Sequence, residues 1–226
     1  MAKIIVEQNE WDKVYQELEN EVIKTSSYDK FIIQLMGDIV NKNILDYGSG
    51  PGVIAKSLHD LDANVDIYDI NKNILEMAGK RIEKDNIIFE KEKISQNHYD
   101  IVLCNLVICI VKHDEVLDIA KDVYNAMLPE KGIAFIGFCN PLIYKIHETF
   151  LDIRHSGNLN YDVNHMYYKQ KKEGEYIIPE MHRPIEWYEK IFSKAGLSVE
   201  EKIFTNKYEF NNNEINDFVI FKLKRQ

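Results

Sequence analysis

The stretch Asn43–Gly52, NILDYGSGPG, constrains the fold more than any other part of the chain. Ile44 and Leu45 close a short apolar run, and Asp46 follows. Gly48, Gly50 and Gly52 then alternate with Tyr47, Ser49 and Pro51 before Val53, Ile54, Ala55 and Leu58 take up helical spacing. This pattern predicts a strand, a tight glycine turn and a helix N-terminus. Glycines suit such a turn because the chain reverses within a few residues and brings its backbone against a ligand, which a Cβ at positive φ would obstruct. An acid at the strand tip can accept hydrogen bonds from an ammonium group. A second alternating run, Val65 and Ile67, ends at Asp69; an acid about 20 residues beyond a glycine turn is where a second strand meets a ribose. A nucleotide-like ligand carrying an amino group matches both features, whereas a plain strand-to-helix turn leaves Asp69 unexplained.

A nicotinamide dinucleotide is the obvious competitor. Its G-x-G-x-x-G turn would put the third glycine at position 53, which is Val53. The order Asp46-x-Gly48-x-Gly50-x-Gly52 followed by Asp69 resembles instead the first two motifs of the class I S-adenosylmethionine-dependent methyltransferases. The resemblance covers roughly residues 35–140 and 184–224. It implies that Gly48, Gly50 and Gly52 contact the methionine part of S-adenosyl-L-methionine, that Asp69, with Ile70 beside it, binds the ribose, and that Asp46 lies near the amino group. The family places an acid against the adenine after the third strand. Here that stretch is Glu90, Lys91, Glu92, Lys93, so Glu92 is the best candidate and solvated charge is the alternative.

Periodicity supplies the rest of the fold. Trp11, Val14, Tyr15, Leu18, Val22 and Ile23 predict an amphipathic helix broken by Thr25, Ser26 and Ser27; Tyr28, Phe31, Ile32, Leu35 and Ile39 predict a second. Asn71 caps a helix through Ile82, Asn86–Phe89 is a third strand, and Ile101–Leu103 a fourth that ends at Cys104, Asn105 and Leu106. Asn105 lies at a strand C-terminus, where open α/β sheets bind ligands, so it and Leu106 are expected at the cofactor. Asp114 caps the next helix, and Ile133–Phe138 is the fifth strand. Pro184 opens another helix, and Leu197–Phe204 with Asp217–Leu223 form a terminal hairpin. The expected class is therefore α/β: a doubly wound, mostly parallel sheet, which the resemblance makes seven-stranded with a C-terminal antiparallel strand. One domain spans 1–226, comprising a helical lid (1–40), a cofactor-binding core (41–138 and 184–226) and a substrate cap (139–183).

The cap is rich in aromatic and histidine side chains, including Tyr144, His165, His182 and Arg183. Tyr28, Tyr144 and Arg183 are expected to bind substrate, with a core role as the alternative for Tyr28. His165 and His182 are candidate general bases for acceptors that must lose a proton. Lys169, Lys171 and Lys172 are the only tight basic cluster and are expected in a solvated loop.

Composition narrows the acceptor. A formal charge of −9 disfavours a grip on a phosphate backbone, and Leu106 and Val107 after Asn105 lack the paired prolines of amino-methylating nucleic-acid enzymes, so DNA is not expected. Cys104, Cys109 and Cys139 form no C-x-x-C pair, so neither zinc nor a disulfide framework is suggested. A hard cation would find too few oxygen ligands after the fourth and fifth strands, and no metal is expected. The longest apolar run, residues 101–111, is too short for a membrane span. The expectation is a cytoplasmic monomer or homodimer, without DNA or membrane partners, that methylates an oxygen or nitrogen of a small aromatic or polar metabolite. A tRNA or protein methyltransferase, and a module that binds the cofactor without chemistry, remain the alternatives.

Overall fold

A computed structural model describes residues 4–19, 21–158, 160–174 and 176–226; the other lid and cap positions, residues 1–3, 20, 159 and 175, lie outside it. Seven strands form the central sheet: β1 (Asn43–Tyr47), β2 (Asn64–Tyr68), β3 (Ile87–Ile88), β4 (Ile101–Asn105), β5 (Ile133–Cys139), β9 (Leu197–Phe204) and β12 (Phe218–Arg225). Their order is β3-β2-β1-β4-β5-β12-β9. The first five are mutually parallel, and β12 runs antiparallel to both β5 and β9. Helices α4 (Val53–His59), α5 (Lys72–Ala78), α6 (His113–Ala126) and α7 (Ile185–Lys194) cover the two faces.

Pleating sorts the apolar residues. Leu45, Val102 and Ile136 pack with α6 and α7 on one face, while Ile44, Leu103 and Phe135 pack with α4 and α5 on the other. Strands covered on both faces must be apolar nearly throughout, which is why β4 and β5 read as continuous runs in the sequence. The reversal of strand order between β1 and β4 leaves a crevice beyond their C-terminal ends, and Asp46, Asn105 and Cys139 all lie at such ends.

The cap is an antiparallel sheet of its own, β6 (Asp152–His155), β7 (His165–Lys171) and β8 (Ile177–His182). A small ribbon, β10 (Tyr208–Phe210) with β11 (Asn213–Ile215), fills the tip between β9 and β12. The N-terminal segment departs from the expected two helices. A 3-10 turn (Trp11–Val14) leads into α1 (Tyr15–Glu19); α2 (Val22–Lys24) then runs through a π-helical turn (Thr25–Asp29) into α3 (Lys30–Leu35). Ser26 and Ser27 do not break the helix, because their hydroxyls donate to Ile23 O, 3.3 and 2.6 Å away. The cap of α6 also differs: Asp114 lies within the first turn, and Glu115 Oε2 accepts from Lys112 N–H at 2.7 Å. Asn71 caps α5 as expected, Oδ1 accepting from Ile74 N–H at 3.1 Å.

Lid and cap are joined to each other. Val6 N–H donates to Ile177 O at 2.8 Å, Tyr176 OH donates to Glu21, and the rings of Trp11 and Tyr176 meet edge to face at 6.2 Å. Asn71 Nδ2 binds Asp12 Oδ1 at 2.6 Å, which ties the lid to the core beside the glycine turn.

Candidate functional site

A cavity of about 760 Å³ lies over the C-terminal ends of β1 and β4, within the ~300–1,000 Å³ usual for small-molecule sites. The glycine turn forms one wall. Gly48, Gly50 and Gly52 have φ of 79°, 53° and 74°, the left-handed region that favours glycine. A Cβ on Gly48 would stand 2.2 Å from Val107 Cγ2, whereas one on Gly50 would meet nothing within 4 Å, because that side faces open space. Gly52 does not line the cavity. Its Cβ position is 3.3 Å from Ala78 Cβ, so this glycine lets α4 approach α5.

Asp46, Asp69, Ile70, Glu92, Asn105 and Leu106 all line the cavity with Gly48 and Gly50. Asp69 braces the turn: Oδ2 accepts from Gly50 N–H and Oδ1 from Asn71 N–H, each at 2.9 Å. Burial nevertheless pushes its carboxyl upward, the backbone donors only opposing it. Asp46 is 2% exposed, and its buried Oδ2 has no hydrogen-bond partner. Burial first, then the neighbouring Asp69 and Asp29, raise its pKa from 3.8 to about 7, against the pull of Lys24. A buried carboxylate oxygen without a partner is costly, and an ammonium in the cavity would satisfy it. A cofactor bearing a ribose and an amino group therefore fits this wall.

At the end of β4, Tyr28 OH donates to Asn105 Oδ1 at 2.6 Å while its ring stacks on Phe218 at 3.9 Å. Burial holds the Tyr28 phenol well above its usual range, so it remains a donor. Tyr28 is thus behind the cavity, and what it presents to the cavity is an oriented Asn105 amide. This contact depends on Gly137 of β5, where a Cβ would lie 2.2 Å from the Tyr28 hydroxyl and 2.6 Å from Asn105 Oδ1. Gly137→Ala is expected to cost about 1–3 kcal/mol, as overpacking does, measurable by denaturant unfolding; unchanged stability would show that the pair can shift freely. Leu106 leaves the strand at φ 60°, which costs a leucine about 1–2 kcal/mol, and its N–H donates to Gly137 O at 2.8 Å.

The opposite wall comes from the lid and cap, and here the structure corrects the sequence reading. Lys169 and Lys171 are not in a solvated loop. They lie on β7, 4% and 7% exposed, and both line the cavity. Lys169 Nζ donates to Glu180 and, at 2.9 Å, to Cys139 Sγ; Asp152 lies 3.9 Å away and Arg154 donates to Asp152 at 3.0 Å. Lys171 faces Glu21 at 3.7 Å. Lys172 is half-buried and paired with Glu148 at 2.8 Å.

His165 and His182 share the inner face of the cap but pair with each other at the far end of β7 and β8, two residues beyond Glu180. They line a pocket of about 20 Å³, room for one water, which Cys139 and Glu180 separate from the main cavity. His165 bonds Val163 O at 2.9 Å and Ser156 at 3.0 Å, and His182 Nε2 bonds Tyr161 O at 2.8 Å. Burial lowers the pKa of His182. Neither imidazole reaches the main cavity. Tyr144 lies beside His182, its ring 5.7 Å away, also off the main cavity. Arg183 is fully buried and donates to Ile108 O (2.8 Å) and Val111 O (2.6 Å), so it pins the segment after β4 and does not face the main cavity.

The doubly wound sheet with its antiparallel β12, and a nucleotide-sized cavity at the strand-order reversal, make a Rossmann-like fold of the methyltransferase type. A family model described as a methyltransferase domain matches residues 44–130. Solved structures share the whole fold at low identity. A Listeria monocytogenes protein assigned as an S-adenosylmethionine-dependent methyltransferase is 18% identical, with 91% of this chain and 100% of that one covered, at a TM-score of 0.68. An S-adenosylmethionine-dependent methyltransferase from Clostridium acetobutylicum is 16% identical over 96% and 98% of the two chains, at 0.63. The glycopeptide N-methyltransferase MtfA, solved with S-adenosyl-L-methionine, is 11% identical over 88% and 93%, also at 0.63. A search of curated proteins finds no match. The chain as a whole thus has the fold of S-adenosylmethionine-dependent methyltransferases, and its residues 44–130 match a methyltransferase domain. Among the described residues no helix is long and apolar enough to cross a membrane.

Proposed function

We propose that the chain transfers the methyl group to an oxygen or nitrogen of a small metabolite held between the glycine wall and the lid-and-cap wall. The observation that carries this reading is the two-walled cavity, in which cofactor-type groups occupy one side and Trp11, Leu18, Tyr176 and Ile178 line the other together with buried ion pairs. Those pairs match a compact acceptor with an apolar body and polar substituents. A continuous basic groove for tRNA is not supported, since acids outnumber lysines along the lining. The glycopeptide N-methyltransferase offers a precedent within the fold for a nitrogen acceptor.

In this reading Asp46 holds the cofactor's ammonium, the Gly48–Gly50 backbone admits its methionine part, Asp69 and Ile70 hold the ribose and Glu92 approaches the adenine. Bound there, the cofactor supplies an already activated methyl carbon, so the protein's task is alignment. Holding an acceptor in line can supply on the order of 7–11 kcal/mol of the barrier reduction. Asn105, fixed by Tyr28, supplies amide donors beside that position, and the joined lid and cap exclude water.

Asp69→Ala is expected to weaken cofactor affinity by about 1–3 kcal/mol, because buried hydroxyls and the Gly50 N–H lose their acceptor. Calorimetry with S-adenosylhomocysteine measures this, and unchanged affinity in a folded variant removes Asp69 from the site. The acceptor reading is tested by offering the enzyme labelled cofactor with a metabolite extract and, separately, with tRNA and protein. Label in the macromolecules alone would overturn it.

A further inference from the structure

Cys109, Cys139 and Glu180 come to one point of the cavity wall from three separate elements: the turn after β4, the end of β5, and the cap strand β8. All three are buried, and the two Sγ atoms and a carboxylate oxygen lie within 4.8 Å of one another. Cys139 Sγ is 3.3 Å from Glu180 Oε2. Two ligands held about 2.0 and 2.3 Å from a tetrahedral ion stand roughly 3.5 Å apart, so the spacing already approaches that of a coordination shell.

We propose that this triad binds a divalent cation of the zinc type through three protein ligands, with the fourth position open to the cavity. Two sulfur ligands reject magnesium and calcium, which require oxygen, and favour a borderline-soft ion. Charge also closes: two thiolates and a carboxylate carry −3, matched by the dication and the Lys169 ammonium. Lys169 is placed to act as an outer donor to the ligands, since it donates to both Cys139 Sγ and Glu180. Tyr167 OH donates to Glu180 Oε1, which orients that carboxylate so that Oε2, which also accepts from Lys169 Nζ, faces Cys139 Sγ. In the metal-free protein both sulfurs are placed as S–H donors, Cys109 to Leu106 O at 3.5 Å and Cys139 to Glu180 Oε2. Binding exchanges two S–H bonds for two metal–sulfur bonds and releases two protons to solvent.

Three protein ligands and an open position are the pattern of a catalytic rather than a structural zinc site. On the acceptor reading above, that position would take the acceptor hydroxyl or amine and ease its deprotonation, a task for which neither His165 nor His182 is placed. Ion binding itself does not depend on that reading.

The test is titration of the reduced, metal-stripped full chain with Co²⁺, followed by Zn²⁺. The expected result is one equivalent bound with a thiolate-to-cobalt charge-transfer band that Zn²⁺ abolishes, and two protons released per ion. Cys109→Ser and Cys139→Ser should each lose the band and bind Zn²⁺ about 100-fold more weakly, while Cys104→Ala, at a buried thiol outside the triad, keeps both. S-adenosylhomocysteine binding to each variant reports that it has folded, and its loss in wild type would be a failure of the methyltransferase reading alone. The wild-type spectrum is decisive without the variants. Absence of the band, or its survival in both serine variants, overturns the site.

Discussion

Lowering the pH from about 8 to about 6 is expected to weaken S-adenosylhomocysteine binding about tenfold, because the carboxylate proposed to receive the ligand's ammonium becomes protonated. Asp46 is the group responsible, with its pKa raised to about 7 in the free protein by burial, Asp69 and Asp29. Below that value each pH unit costs about a factor of ten in the fraction ionised, or about 1.4 kcal/mol. Stability of the free protein should run the opposite way. A carboxyl whose folded pKa is raised contributes stability that is complete below about 3.8 and is lost as the pH rises through about 7. The amount is on the order of 4 kcal/mol. The ligand should therefore raise the melting temperature much more at about pH 8 than at about pH 6. Asp46→Asn should be at least as stable as wild type at the higher pH, bind the ligand weakly, and lose the pH dependence of binding. Calorimetry across this range checks both arms, and a flat affinity profile for wild type would detach Asp46 from the ammonium.

Arg183→Met is expected to destabilise the chain by about 2–4 kcal/mol, since it orphans the buried carbonyls of Ile108 and Val111, each worth about 1–3 kcal/mol when unpaired. The guanidinium also lies 5.0 Å from the Trp187 ring and 5.9 Å from that of Tyr188, so stacking is lost as well. Beside it, burial and then the Arg183 charge lower the pKa of His113. A lowered histidine pKa contributes stability that is present above the unfolded value and lost as the pH falls through it and toward the folded one. The Met variant should show less of that acid sensitivity. Urea unfolding at two pH values measures both effects. A variant as stable as wild type with a raised KM for the acceptor would return Arg183 to the substrate-binding role its position in the sequence suggested.

The contrast between these two residues shows what was legible beforehand. Asp46, Gly48, Gly50 and Asp69 were readable because the turn that joins a strand to a helix within a few residues leaves a local signature, and because β1 and β2 are adjacent and in register, Asp46 against Ile67. The sheet followed from alternation and helical spacing for the same reason. The opposite wall had no such signature. Lys169 and Lys171 alternate along β7 as any exposed strand face would, and their partners Asp152, Glu180 and Glu21 arrive from other elements. His165 and His182 stand at the end of β7 and β8 away from the main cavity, which was not legible because composition marks a segment as rich in titratable groups without giving its register. Gly137 carried a weak signal, a lone glycine in an apolar strand, which marks close approach of another group. Nothing local distinguished Cys109 and Cys139, 30 positions apart, from ordinary core thiols.

The placement of β12 bears on how the chain acquires its structure. It pairs with β5 on one side and β9 on the other, so two strands made earlier in synthesis cannot be joined until residues 218–225 have emerged. Until then β5 presents an open apolar margin, the kind of surface that recruits chaperones or other nascent chains. Closure of the sheet should accordingly be a late event, and a ribosome stalled shortly before that segment should display a chain that proteases still cut.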